Sequence, residues 1–268
     1  MARLKVGVQL HPQHTSLDEL RHAWCAADEL GVDSIWIWDH FFPLYGAGEP
    51  YLWPPRGEPA GRHYEAWSLL AAMAVETKNA RIGVLISNVN FRNPDLLADM
   101  ARTVDQLSGG RVNLGLGAGN IERDFREYGY AFASGRDRLT ALEEGIGRVK
   151  RRLARLEPPP AGPLPVLIGG SGPKVTLRLV AEYADMWNSF GPPADYAVQN
   201  AALNEWCARL GRDPGEIERT VLLDVPEEAQ DLAGFVEAGA QHVILGCAHP
   251  FDLGPVRELQ RASQARLS

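Results

Sequence analysis

An aspartate and a histidine, Asp39 and His40, stand directly after the apolar run Ser34-Ile35-Trp36-Ile37-Trp38. An imidazole in such a place can donate to a ring nitrogen or move a proton near neutral pH. A helix cap or a structural hydrogen bond is the plainer reading of the same pair. A second segment, Gly169-Gly170-Ser171-Gly172-Pro173-Lys174, falls between a strand pattern and a helix pattern. Free backbone N–H groups and the helix dipole can hold a phosphate there. It lacks the Gly-Lys-Ser/Thr ending of a Walker loop, and a tight turn alone would explain two of its glycines. Gly115-Leu116-Gly117-Ala118-Gly119 looks like a dinucleotide fingerprint, but no third glycine follows at the required spacing. Small residues there instead let a flat ligand approach the backbone. His14, His22, His63 and His242 lack metal-ligand spacing and read as structural or solvated, so no metal site is expected. No Ser-His-Asp arrangement can be assembled from sequence positions.

The elements that must position these residues alternate. Short β-rich runs at 5–10, 34–38, 81–86, 112–116, 166–168, 186–189, 219–223 and 242–245 are each followed by a helical pattern, which marks parallel βα units. The helical patterns cover 17–30, 65–78, 95–107, 136–156, 174–183, 196–210, 227–238 and 254–266. Eight units in a chain of 268 residues predict an α/β fold, a (β/α)8 TIM barrel spanning 1–268 as one domain. Ser16 with Glu19 reads as a capping box, and Asn93 before Pro94 as an N-cap; Pro173 after Gly172 reads the same way. The glycines of Leu30-Gly31-Val32 and Ala238-Gly239-Ala240 can end helices in a left-handed conformation. An open doubly wound sheet is the alternative, but it would need its phosphate loop early in the chain.

In a barrel the loops after the strands converge on one face. That face would hold Gln9 and His11, Asp39 and His40, residues 87–90, 117–123 and 169–172, then 188–190, Asp224 and His249. The segment 40–62, with five prolines and Tyr45, Tyr51 and Trp53, is too long for an ordinary connection and reads as a lid or pocket wall. Pro158-Pro159-Pro160-Ala161-Gly162-Pro163 is a stiff connector.

With 27 Lys and Arg against 34 Asp and Glu, the net charge of −7 disfavours a nucleic-acid surface. Cys25, Cys207 and Cys247 are odd in number and widely spaced, which favours neither a disulfide framework nor a zinc site. No apolar run approaches the roughly 20 residues of a membrane span, and a reducing cytoplasm is expected.

Several segments, in this order, resemble the bacterial luciferase-like superfamily, and within it the oxidoreductases that use the deazaflavin coenzyme F420. They are Ala27-Asp28-Glu29-Leu30-Gly31-Val32-Asp33-Ser34-Ile35-Trp36, Asp39-His40-Phe41, Tyr64-Glu65-Ala66-Trp67 and Phe91-Arg92-Asn93-Pro94. Leu107-Ser108-Gly109-Gly110-Arg111, Gly115-Leu116-Gly117-Ala118-Gly119, Ile168-Gly169-Gly170-Ser171-Gly172 and Ala184-Asp185-Met186-Trp187-Asn188 complete the set.

The resemblance implies a tricyclic ring across the strand ends, with its phosphate tail at Gly169, Gly170, Ser171 and Gly172. Asp39 and His40 would approach the ring as catalytic residues. A non-prolyl cis peptide at Leu85-Ile86 would back it and turn Ser87 and Asn88 towards it, with Gly119 and Asn120 close by. The implied reaction is hydride transfer between coenzyme F420 and a small organic substrate, the redox chemistry belonging to the cofactor. A reduced-FMN monooxygenase and a non-catalytic flavin-binding barrel are the alternatives.

His11, Tyr51, Trp53, His63, Phe190 and His249, together with Asn120, are the substrate-pocket candidates, and a flat or apolar substrate is expected. Lys174 and Arg178 are the cations placed to meet an anionic cofactor tail. A small-molecule substrate is the expected partner, with a homodimer as an open option, and neither nucleic acid nor membrane. In the sugar-phosphate dehydrogenases of the family an acid follows the Gly-x-Gly after the fourth strand, and a tryptophan follows the Asp-His pair. Asn120 and Leu44 stand there, so glucose-6-phosphate dehydrogenase activity is not expected.

Overall fold

A computed structural model describes residues 3–49 and 57–265. Eight parallel strands close into a barrel in sequence order: β1 Lys5–Leu10, β2 Ser34–Ile37, β3 Arg81–Asn88, β4 Val112–Gly117, β5 Val166–Gly169, β6 Met186–Ser189, β7 Glu218–Leu223 and β8 His242–Cys247. β1 closes on β8 in register from Lys5 opposite His242 to Leu10 opposite Cys247.

The outer layer is α1 Leu17–Leu30, α2 Ala66–Glu76, α3 Pro94–Ser108, α4 Glu122–Arg126, α5 Gly135–Leu153, α6 Thr176–Tyr183, α7 Pro193–Leu210, α8 Leu232–Glu237 and α9 Gly254–Ala265. The larger apolar core lies between strands and helices. A smaller one fills the barrel with Trp36, Leu85, Leu167, Met186 and Ile244, all buried. Inward packing of this kind makes the barrel a solid support with its working surface at one end.

The caps act where the sequence placed them. Ser16 accepts from the Glu19 N–H while the Glu19 carboxylate accepts from the Ser16 N–H. Asn93 caps α3 ahead of Pro94. Pro173 does not open a helix: α6 begins at Thr176 with no side-chain cap, because the chain first turns through a Leu177 N–H to Gly172 carbonyl bond. The pattern at 227–238 divides into a 3-10 turn, Pro226–Asp231, and the short α8. α4 begins inside the 117–123 loop and runs three residues past it.

A polar chain running from exposed Lys5 to buried Ser34 and Trp36 closes the opposite, amino-terminal end of the barrel. Lys5 and the His242 Nδ1 meet the Glu218 carboxylate at 2.5 and 2.8 Å, the His242 Nε2 is 2.9 Å from the Ser34 hydroxyl, and the Trp36 N–H donates to that hydroxyl at 2.6 Å. This is a serine, histidine and acid in file, but Ser34 is fully buried on the face where barrels place stability rather than chemistry.

Burial opposes ionisation of Glu218, yet the bonds from His242 and Lys5 outweigh it and hold the carboxyl down at about 2. Folded Glu218 thus sits below its ordinary 4.5, so its stabilisation is present above that value and disappears as pH falls towards 2. Glu218→Gln is expected to lower the melting temperature at neutral pH by several degrees and to flatten its decline under acid. Thermal melts across the acid range check this; parallel curves for both proteins would contradict it.

Candidate active site

β2 ends at Ile37, and the next three residues carry Trp38, Asp39 and His40 onto the carboxyl-terminal face. All three line a cavity at that face. The His40 Nδ1 lies 2.6 Å from the Asp124 Oδ2, and the Phe41 N–H donates to the Asp124 Oδ1 at 2.9 Å. An ionised carboxylate only accepts, so Nδ1 carries the proton and Nε2 of the neutral ring is left as an acceptor. The Asp124 side chain is 2% exposed and that of His40 20%. The acid is therefore sealed behind the imidazole.

Asp39 is held differently. Both its oxygens accept from Arg92, at 2.5 and 2.9 Å, and Arg92 also donates to Glu65 at 2.5 Å. Glu65 in turn caps α2 through the Trp67 and Ser68 N–H groups. Burial pushes the Asp39 carboxyl up from its ordinary value, and the guanidinium opposes that shift. The two-pronged geometry is the kind that keeps such a pair ionised.

The cavity floor is the middle of β3. Its pairing with β4 slips between Val84 and Ser87, and the Leu85-Ile86 peptide is cis, as the resemblance implied. Gln9 fastens the Leu85 carbonyl with a 2.8 Å bond. Ile86 rests over glycines: a Cβ on Gly115 would lie 2.9 Å, and one on Gly169 2.7 Å, from its side chain, and one on Gly117 would collide with it. The glycine spacing on β4 therefore serves close approach by Ile86.

Asn88 accepts from the Asn90 backbone and side chain at 3.0 and 3.1 Å, but its own Nδ2 is buried without a partner among the described residues. A buried donor left unmet costs about 1–3 kcal/mol, and this one is packed against Gly119, where a Cβ would collide with it. Gly119 and Asn120 complete this edge.

Gly169 and Gly170 line the cavity with Thr176, and Gly170 takes φ +116°. Ser171 and Gly172 belong to the same turn but lie outside the lining. Arg178 pairs with Glu143 and Glu182, at 2.7 and 2.9 Å, and Lys174 is exposed. Ser87 does not turn towards the cavity. It is fully buried, and its hydroxyl accepts from the Trp67 N–H at 3.0 Å, because the slip in register directs it under α2.

Of the pocket candidates, Phe190 and Asn120 line the cavity. His11 stacks on Trp38 with centroids 4.2 Å apart and meets the Tyr45 hydroxyl at 2.7 Å. His63 accepts from the Trp38 N–H at 3.1 Å. Burial lowers these two imidazoles to about 3 and about 4, so both are neutral props that set Trp38 and not wall residues themselves. His249 points to the surface, 3.2 Å from Glu19 at the start of α1, and is outside the lining. Tyr51 and Trp53 lie outside the described residues. The 40–62 segment supplies Leu44 to the wall and is tied to α4, where Arg123 donates to the Pro59 carbonyl and Arg126 pairs with Glu58. Among the described residues no cluster of His, Cys, Asp and Glu could hold a metal.

A closed parallel barrel with a β3 bulge beneath an Asp-His pair defines the class to which the comparisons also lead. A model of the luciferase-like monooxygenase family matches residues 1–240, and the chain belongs to that family.

Among curated relatives, the F420-dependent glucose-6-phosphate dehydrogenase of Amycolatopsis mediterranei (strain U-32) is 29% identical over 198 residues, 68% of this chain and 54% of the relative. The chain therefore spans about half that protein's length. A 5,10-methylenetetrahydromethanopterin reductase of Methanolobus tindarius is 24% identical over 264 residues, 89% of this chain and 73% of the relative. Among solved structures, an F420-dependent secondary alcohol dehydrogenase in complex with an F420-acetone adduct superimposes with a TM-score of 0.82 at 19% identity, covering 98% of this chain and 99% of that one. The FMN-bound oxygenating constituent of 3,6-diketocamphane monooxygenase from Pseudomonas putida gives 0.74 at 15%, covering 98% of each. These two likenesses establish the fold. Among the described residues no helix is long and apolar enough to cross a membrane.

Proposed function

We propose that the chain is an oxidoreductase that binds coenzyme F420 in this cavity and exchanges a hydride between it and a small organic substrate. The observation that carries the reading is the His40–Asp124 pair, which presents an imidazole to a cavity floored by Ile86 and the β3 bulge. The deazaflavin, when bound, supplies hydride exchange at its ring carbon. The choice of that cofactor follows the F420-dependent relatives and the motifs of the sequence.

The chain's own residues do the rest. Ile86 and the β3 bulge support a flat ring, and the turn at Gly169 and Gly170 leaves backbone room for a phosphate. His40 takes or returns a proton through Nε2 at a substrate oxygen or nitrogen, while Asp124 fixes the tautomer and stabilises the imidazolium. Asp39, locked by Arg92, is a positioning residue that holds the strand end in place.

A reduced-FMN monooxygenase is the second reading, favoured by the family description itself. Titration of the purified chain with each cofactor, followed by fluorescence, separates the two. Tighter binding of F420 than of FMN is expected. Tighter FMN binding with oxygen consumption in the presence of reduced FMN would replace the first reading with the second.

A further inference from the structure

Three carboxylates line the cavity, and two are committed: Asp39 to Arg92 and Asp124 to His40. The third, Asp224, follows the last residue of β7. Its backbone N–H donates to the Glu228 carboxylate at 2.7 Å, while its own carboxylate accepts no hydrogen bond from a described residue. Among the described residues, no lysine or arginine lines the cavity.

Among the described residues, the titratable groups facing Asp224 are few. Glu228 comes from the turn after β7. A Cβ on Gly246 of β8 would lie 2.9 Å from the Asp224 carbonyl oxygen and 3.3 Å from the His11 Nε2, which places His11 alongside. Cys247 follows on β8. His11 is neutral, and burial pushes the Cys247 thiol up to about 12, so neither offers a compensating charge. Burial, then the charge of Glu228, raises the Asp224 carboxyl to about 7. Among the described residues, an entering anion would meet an acid with no cation beside it. An entering cation would supply the partner that the fold withholds.

We propose that Asp224 is a specificity-determining residue, and that its carboxylate receives a positively charged nitrogen on the substrate while Leu222 and Phe190 border the apolar remainder. This rests on reading the cavity as the substrate site of the oxidoreductase, whichever flavin fills it. It also carries a stability cost. A carboxyl with a folded value near 7 and an ordinary value of 3.8 destabilises the chain increasingly as pH rises between those values.

The test uses the full-length chain and three probes of one shape: cyclohexylamine, cyclohexanol and cyclohexanecarboxylate, each titrated by calorimetry. The amine stays protonated throughout, as lysine does. It should bind about ten-fold or more tightly than the other two above neutral pH, as expected for a hydrogen bond to a charged group, and lose that margin at about pH 5.5. Asp224→Asn should abolish the margin and its pH dependence, and should melt higher than the unaltered chain at alkaline pH. Equal binding of the three probes, preference for the carboxylate, or an amine margin surviving in the variant would overturn the proposal. The pH profile of the unaltered chain decides the matter even if the variant folds poorly. F420 titration of the same preparation reads the cofactor separately, so retained F420 binding with no amine preference would sink this inference alone.

Discussion

Replacing His40 by alanine is expected to lower turnover by about 10²–10⁴-fold, the usual contribution of a general acid–base group, while the melting temperature stays within a few degrees. The expectation follows from where the ring's bonds go. Its Nδ1 is spent on Asp124, and the ring is held at the edge of the cavity rather than in the core. Little packing is lost with it. Asp124→Asn should act in the same direction but less strongly, because an amide oxygen can still accept one of the two N–H groups, that of His40 Nδ1 or that of Phe41, which the two carboxylate oxygens now receive. The amide can also donate to Nδ1 and so select the wrong tautomer. Steady-state rates and thermal melts of both variants check this. Losses of activity and stability in proportion would mark the pair as scaffolding, and a pH–rate profile unchanged in Asp124→Asn would remove the aspartate from the proton path.

The barrel was legible because its signals are local and repeated. β-rich runs followed by helical patterns recur eight times, caps and turn glycines mark several of them, and each can be read without knowing its partners. Several motifs that carried the resemblance hold the frame instead of the site. Asp28 accepts the Lys78, Asn79 and Ala80 N–H groups, and Arg111 donates to the Ala74, Thr77 and Ala80 carbonyls, both locking the helix-to-strand turn ahead of β3. Asp39 and His40 were legible because a buried strand delivers them.

Their partners were not. Asp124 lies 84 residues from His40 and on a five-residue helix too short to show a period, one position beyond the loop suspected on sequence. Arg92 sits within a quoted motif, but nothing in Phe91-Arg92-Asn93-Pro94 says that the guanidinium reaches back 53 residues to Asp39. His63 and His249 illustrate the converse. Both are histidines in plausible loops, and only the packing of Trp38 and the exposure of α1 distinguish a prop and a surface group from a wall. Gln9 and Asp224 stood among the strand-end residues, but an amide and a lone acid give no sequence signal of what they face.

The second large effect concerns stability. Arg92→Met is expected to cost about 3–5 kcal/mol, because it leaves the Asp39 charge buried without its counter-ion, whereas loss of an exposed pair costs little. The side chains of Arg92 and Asp39 are 12% and 0% exposed, which puts this pair in the buried class, unlike the half-exposed Arg126–Glu58 contact. A change of that size lowers the melting temperature of a chain this long by roughly 6–20 °C.

The pH dependence gives the cause away. Burial already pushes the Asp39 carboxyl up, and without Arg92 it would rise further, so the folded variant favours the protonated acid. Its deficit should be greatest at neutral pH and shrink as pH falls towards the ordinary carboxylate range, where the unfolded chain also becomes protonated. Asp39→Asn introduced into the variant should recover part of the loss at neutral pH by removing the stranded charge. Urea unfolding of the single and double variants at neutral and mildly acidic pH measures both effects. A deficit independent of pH and untouched by Asp39→Asn would show that Arg92 contributes only its packing, and that the ion pair does not hold the strand end beneath His40.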